Sequence, residues 1–315
     1  MEFMLTPRGP YGFGLVLAYL GSSPSRVLEN ITTRGFCRAL AIGPGVVVKV
    51  ERENLSASTD PLHITLWAKD LTPSLVNQVR QHLRKMLTLD VDGTIFEDHM
   101  LRHDPQLGQY SAHYRGFRPI LWGSPWEAFL WGVLEQNMEV NTAQTIKSLV
   151  RLGGEHLIVH DQIYNLLPTP DWFLHKPTAT LLSIGMTHTK AMAIIQVAEA
   201  IAMGALPWSS QPEESQADTL TQLQKIPGVG LSTAATVGLG GLGNLDILPA
   251  EDASLQIFVG RHIRPDGSQI SAGALQEYAI RWAPYRGWAT YLLWLQIQAE
   301  AMIRQADAFD SGGNN

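Results

Sequence analysis

The stretch Leu223-Gln224-Lys225-Ile226-Pro227-Gly228-Val229-Gly230-Leu231-Ser232-Thr233-Ala234-Ala235 decides the reading of this chain, together with Leu248-Pro249-Ala250-Glu251-Asp252 downstream. An apolar-Pro-Gly-apolar-Gly centre between two helical patterns predicts a hairpin so tight that side chains are excluded. Successive backbone N–H groups then point outward at a helix N-terminus, a concavity that holds a phosphate. Pro227 presets φ for the turn, and Gly228 and Gly230 allow positive φ and the close approach of another backbone. Ile226, Pro227, Gly228, Val229, Gly230, Ser232 and Thr233 are therefore the candidate phosphate-gripping residues, in a helix-hairpin-helix over residues 217–240. Pro-Gly-x-Gly also builds ordinary turns, so on the hairpin alone that alternative stays open.

Working outward, composition sets bounds. The chain has 315 residues, 45% apolar and 17% charged, with a mean hydropathy of −0.01, values of an ordinary globular protein of two or three domains. No apolar run approaches a membrane span, and Met1-Glu2-Phe3-Met4 lacks a secretory pattern, so a cytoplasmic location is expected. The single cysteine, Cys37, excludes an intramolecular disulfide and a four-cysteine iron–sulfur cluster, and reads as a small core residue. The ten histidines show no paired helical spacing and suggest no zinc site. A net charge of −6 weighs against nucleic-acid binding through Lys and Arg, but a hairpin that binds through backbone N–H groups needs few cations.

Residues 11–70 are rich in β-branched and aromatic types, with alternation in Leu62-His63-Ile64-Thr65-Leu66-Trp67 and an apolar run at 46–50, and read as strands of an antiparallel sheet. Thr72 and Pro73 open a helix whose face Val76, Val79, Leu83 and Met86 would cover that sheet. The expected boundaries are a sheet domain over 1–95, a connector over 96–124 and a helical region over 125–315. The helical pattern runs to about residue 305, is broken at Gly204 and Pro207, and ends in a frayed tail at 310–315. Gly238-Leu239-Gly240-Gly241-Leu242-Gly243 matches the dinucleotide-binding glycine pattern but follows a helix rather than a strand, and reads as a loop.

The hairpin and the carboxylate that follows it resemble the helix-hairpin-helix DNA glycosylase superfamily, whose catalytic aspartate stands at this spacing. Pro10-Tyr11, Phe36-Cys37-Arg38-Ala39-Leu40-Ala41-Ile42-Gly43, Pro168-Thr169-Pro170, Ile184-Gly185-Met186 and Arg281-Trp282-Ala283-Pro284-Tyr285-Arg286 occur in the order of one branch, the bacterial 3-methyladenine DNA glycosylase II (AlkA-type) enzymes. The resemblance implies an α+β fold: an N-terminal antiparallel β domain like that of the TATA-binding protein, then two mainly α-helical subdomains carrying the helix-hairpin-helix. It further implies a monomer that excises damaged purines, above all alkylated ones, from double-stranded DNA, with no membrane partner and no required cofactor.

Site residues follow from the same match. Asp252 becomes the catalytic carboxylate, a fixed anion that stabilises positive charge on the sugar and orients water as the base leaves. Helix N-capping is its competing role, and the two can coexist. Glu251 is the rival carboxylate and reads as a solvated neighbour. Ser232 stands where strand-cutting relatives keep a lysine, which implies a glycosylase without lyase action. Lys225 and Lys190 then read as surface phosphate contacts.

Trp294 matches a pocket tryptophan, with core packing as its alternative, while Trp282 and Trp288 read as core. The family's other pocket aromatics match Ser232, Thr236 and Leu295 here, so a wider or more polar base pocket is expected. Gln136, Asn137 and Met138 occupy the wedge region that fills the gap left by an extruded base, or else form a polar helix terminus. The backbone carbonyls of Gln224, Ile226 and Gly228 match those that hold a Na+ or K+ ion in the family. Two other functions remain: a non-catalytic hairpin DNA clamp and an oxidised-purine glycosylase.

Overall fold

The computed structural model describes the chain apart from residues 23–26, 57, 137–141, 207, 209–212, 263 and 313–315. Five strands, β1 (Glu2–Leu5), β2 (Glu29–Ile31), β3 (Gly35–Leu40), β4 (Val46–Glu51) and β5 (Leu62–Trp67), form one antiparallel sheet in the order β1-β5-β4-β3-β2. The register places Val48 opposite Arg38 and Leu66, and Val50 opposite Phe36 and Ile64. With a period of two, Phe36, Val46, Val48, Val50, Leu62, Ile64 and Leu66 all enter one core.

Two helices close that core. The helix α1 (Phe13–Ser22) contributes Phe13, Val16, Leu17 and Leu20, so residues 11–70 are not all strand as the composition suggested. Burial of that apolar face overrides the β-prone residue types. Helix α2 (Pro73–Met86) begins as expected: the Thr72 hydroxyl accepts from Leu75 N at 3.2 Å, Pro73 opens the first turn, and Val76, Val79, Leu83 and Met86 are buried.

Much of the expected connector over 96–124 is helical, in α3 (Gly93–His103) and α4 (Pro105–His113), capped by Asp92 and Asp104. Phe96, Met100, Leu107 and Phe117 belong to the same core as residues far downstream, including Trp282, Trp288 and Leu292. The acids Asp92 and Asp104 signalled helix caps rather than irregular chain.

The helical region contains α5 (Pro125–Leu134), α6 (Thr142–Gly153), α7 (Pro170–Leu174), α8 (Thr178–Leu182), α9 (His188–Ala202), α10 (Glu213–Gln224), α11 (Leu231–Thr236), α12 (Ala253–His262), α13 (Ala272–Tyr278) and α14 (Arg286–Gly312). The last helix reaches Gly312, past the point where the sequence suggested fraying. Residues 125–305 are not uniformly helical, because β6 (His156–Val159) and β7 (Gln162–Asn165) form a hairpin. It packs Tyr164 on the outer face of the large sheet against Cys37, Ala39 and Val47, which accounts for the buried Cys37.

Every residue from Trp126 to Leu134 is buried, making α5 the axis of the second core. The glycine-rich run at 238–243 is not a loop. Val237–Leu242 continues α11 as a π-helical turn in which every residue is buried. A Cβ at Gly240 would lie 2.7 Å from Trp122 Cδ1, and one at Gly241 2.7 Å from Pro125 Cα, so Gly240 leaves room for the indole ring and Gly241 lets its backbone approach that of α5. Tertiary contact here outweighs the poor helix propensity of glycine.

Candidate active site

The hairpin between α10 and α11 is the tight turn predicted. Val229 N donates to Ile226 O at 3.0 Å, and Val229 and Leu223 are buried beneath the turn. Gly228 has φ +88°, and a Cβ there would meet Ala193 Cβ at 3.0 Å on α9. Gly230 does not use that freedom, with φ −89° as the residue before α11. Nothing lies within 4 Å of the Cβ it lacks, so its role is open space in front of the helix N-terminus, not positive φ.

Pro227 and Ser232 are exposed and Ile226 is half-buried, whereas the Thr233 side chain points inward. Its hydroxyl donates to Gly132 O at 3.1 Å and accepts from Gln136 Nε2 at 2.5 Å, and the same amide donates to Gly228 O at 3.2 Å. Gln136 thus ties the end of α5 to the hairpin instead of projecting as a wedge. Asn137 and Met138 lie outside the described residues. The carbonyls of Ile226 and Gly228 each already accept one hydrogen bond, leaving each a second lone pair of the kind that suits a hard monovalent cation.

Lys190 is not at the surface. Only 5% exposed, it donates to Leu134 O at 2.9 Å and Gln136 O at 2.7 Å, capping the C-terminal end of α5. The apolar pattern of α9 hid this, because a buried lysine on carbonyls leaves no periodic signal. Lys225 is exposed, its amine donating to Gln222 Oε1 at 3.1 Å.

Asp252 both caps a helix and faces a cavity. Oδ1 accepts from Ser254 N at 2.8 Å, Ser254 Oγ at 2.5 Å and Leu255 N at 3.1 Å, the pattern of an N-cap for α12. Oδ2 turns the other way and accepts from Trp294 Nε1 at 3.0 Å. The segment that carries it is held at its start by Arg286, whose guanidinium grips Asp246 through two bonds of 2.9 and 2.6 Å. Glu251 is exposed, as expected of a solvated neighbour.

The cavity before Asp252 has a volume of about 270 Å³ and is lined by Ser232, Thr236, Trp294, Tyr291, Trp122 and Glu135 among others. This is just under the range of about 300–1,000 Å³ typical of sites for drug-sized ligands, a size for a single flat base. Ser232 and Thr236 line it as expected. Leu295 does not: it is buried in the third core, since adjacent residues on a helix point about 100° apart.

The partners of Trp294 on that face are Tyr291 and Gln298, three residues before and four after it. Tyr291 donates to Ile120 O at 2.9 Å and meets Trp294 edge-on at 5.5 Å. Helical spacing from Trp294 could have found both. Trp122 stacks on Trp131 at 5.2 Å. Trp282 and Trp288 are fully buried, as expected of core.

The sequence did not single out Glu135, the residue after α5, which shares the cavity with Asp252. It is exposed to solvent at the cavity mouth. Desolvation, reinforced by the Asp252 charge, pushes its carboxyl up to about 7. At the wall, buried Arg38 pairs with Glu29 at 2.5 Å and Glu127 at 2.7 Å, linking the sheet to α5.

Among the described residues no helix is long and apolar enough to cross a membrane. No family model matches the chain. It is 27% identical over 301 residues to DNA-3-methyladenine glycosylase 2 of Escherichia coli, covering 93% of this chain and 96% of that one. The DNA-3-methyladenine glycosylase of Bacillus subtilis is 26% identical over 285 residues, covering 88% and 91%. Among solved structures, the 3-methyladenine DNA glycosylase of Archaeoglobus fulgidus superposes with a TM-score of 0.79 at 19% identity over 94% of this chain and 98% of that one. With the hairpin and its downstream carboxylate arranged as above, the chain is similar over nearly its whole length to DNA-3-methyladenine glycosylases and shares their fold.

Proposed function

We propose that this protein is a monofunctional DNA glycosylase of base excision repair that hydrolyses the N-glycosidic bond of alkylated purines in duplex DNA. The observation that carries this reading is the position of Asp252: its Oδ2 is fixed by Trp294 on the wall of a base-sized cavity that Ser232 and Thr236 of the hairpin's second helix also line.

The backbone N–H groups at the start of α11 take a phosphate of the DNA, aided by the space before Gly230. The lesion nucleotide swings out of the duplex and its base enters the cavity between Trp122, Tyr291 and Trp294. An alkylated purine carries positive charge, which electron-rich indole and phenol faces attract. As the C1′–N bond breaks, its electron pair goes to the base and neutralises it, while charge grows on the sugar beside Asp252. Water adds to C1′ and gives up a proton, leaving an intact abasic strand. A Na+ or K+ ion on the carbonyls of Gln224, Ile226 and Gly228 would add positive charge to the phosphate grip.

Ser232 offers no amine to the sugar, and Lys190 is spent on the carbonyls of α5, which supports hydrolysis without strand cutting. A DNA clamp without activity has no use for a carboxylate aimed into a cavity. The test is a glycosylase assay across duplexes with methylated, deaminated and oxidised purines, with Asp252→Asn as control. Release of methylated purines by the wild type and not by the variant is expected. Release confined to oxidised purines, or none, would overturn the reading.

A further inference from the structure

We propose that Trp122 is a specificity-determining residue: its indole is the partition between the base cavity and a second, larger cleft, and it admits methylated purines while excluding purines that carry a bulky N-alkyl group. The inference rests on the glycosylase reading above and narrows its substrate class.

Two hollows meet at this side chain. The cavity in front of Asp252 has a volume of about 270 Å³. A cleft of about 670 Å³ lies between α2, α5 and α9, walled by Met86, Trp126, Ile201, Leu206 and Trp208 among others. Leu121 and Trp122 line both. Among the described residues no acidic side chain lines the cleft, and its walls are largely apolar, so an apolar group that reached it would be accommodated.

The partition is held firmly. Leu121 N donates to Met86 O and Trp122 N to Gly240 O, each at 2.8 Å, which ties the backbone of this segment to α2 on one side and to the π-helical turn on the other. The Trp122 ring stacks on the fully buried Trp131, with centroids 5.2 Å apart and planes at 15°, so it cannot retreat in that direction. At Gly240 a Cβ would lie 2.7 Å from Trp122 Cδ1 and 2.8 Å from Nε1, so the edge of the indole fits against bare backbone. The next residue, Gly123, is pressed as closely against the Arg38–Glu127 pair, where a Cβ would lie 2.5 Å from Arg38 Nη2 and 2.6 Å from Glu127 Oε2.

A fixed wall selects by clash. A ring packed on three sides yields little to an oversized ligand, so a substituent that overlaps it is rejected. A purine with one added methyl group keeps the size of a single base. A benzyl group in place of the methyl leaves the positive charge on the purine, and so its departure as a neutral molecule, but adds a second flat ring for which the cavity has no room unless Trp122 is removed. The indole attracts both cations alike, and size alone separates them.

The experiment measures single-turnover release of 7-methylguanine against 7-benzylguanine, and of 3-methyladenine against 3-benzyladenine, from otherwise identical duplexes, because N3 and N7 lie on opposite edges of the purine. Each rate is taken above spontaneous loss. The wild type should release the methylated base at least about 100-fold faster than its benzyl counterpart on one edge or both. Trp122→Ala should raise release of the excluded benzyl base at least about tenfold, and should lower release of the methylated bases about 2- to 30-fold through the lost contact with a cationic ring. Trp122→Phe should keep the wild-type order, and Trp122→Leu, which retains apolar packing against Trp131, repeats the test if the alanine variant melts early. Similar wild-type rates for methyl and benzyl bases, or an exclusion that Trp122→Ala and Trp122→Leu both leave unchanged, would overturn the proposal and leave the glycosylase reading intact. Release of neither methylated base by the wild type would remove both.

Discussion

Asp252→Asn separates the helix-capping role of this carboxylate from the catalytic role proposed for it. Asparagine keeps an Oδ1 that can accept from Ser254 N, Ser254 Oγ and Leu255 N, so the cap of α12 survives. The amide NH₂ that replaces Oδ2 faces the Trp294 N–H, donor against donor. That costs about 1 kcal/mol, or a fall of about 2 °C in Tm for a chain of this size. The catalytic loss is far larger. Removing a fixed anion from beside a developing cation costs about 3–5 kcal/mol, which is about 160- to 5,000-fold in rate. Single-turnover release of 7-methylguanine reads this directly, and affinity for a duplex with an abasic-site analogue should stay within about threefold of wild type. Glu251→Gln, altering the exposed neighbour, should be mild. Wild-type-like release by Asp252→Asn would refute the assignment, as would a loss explained entirely by weakened DNA binding.

Gly228→Ala forces a side chain to φ +88° and against Ala193, so it should destabilise the fold by about 1–2 kcal/mol in denaturant melts and weaken binding to all duplexes. Gly230→Ala meets open space and should melt like wild type, yet it should weaken damaged and undamaged duplexes alike; a loss selective for one lesion would move the hairpin into base recognition. The product of base release should be an intact abasic strand that breaks only with heat or alkali, and borohydride should trap no covalent complex; efficient trapping would end the hydrolytic reading. His82 is pushed down to about 4 by burial, with Arg38 and Lys85 adding repulsion. The unfolded chain then binds the extra proton first, so stability should fall on the order of 3 kcal/mol as pH drops from about 6.5 to about 4, and His82→Leu should flatten that slope in denaturant titrations.

Several features were legible in the sequence because their signals are local. The hairpin followed from Pro227 and Gly228, the cap of α2 from Thr72-Pro73, the sheet core from alternation in β4 and β5, and the carboxylate from its place after Pro249. In each case residue type and short-range spacing set backbone conformation, and neighbours a few positions apart do the rest.

What only the tertiary structure decided depends on partners distant in the chain. Lys190 is buried because the open end of α5 needs a donor, and that end lies more than fifty residues away. The glycine-rich run at 238–243 is helical because Trp122 and Pro125 must come close to it. Leu295 leaves the pocket and Tyr291 enters because helix rotation, not adjacency, selects a face. Glu135 shares a cavity with Asp252 because α5 and the segment before α12 meet there. Side chains state what a residue can do; which charges and dipoles surround it, and hence what it does, is set by the packing of elements that the sequence holds far apart.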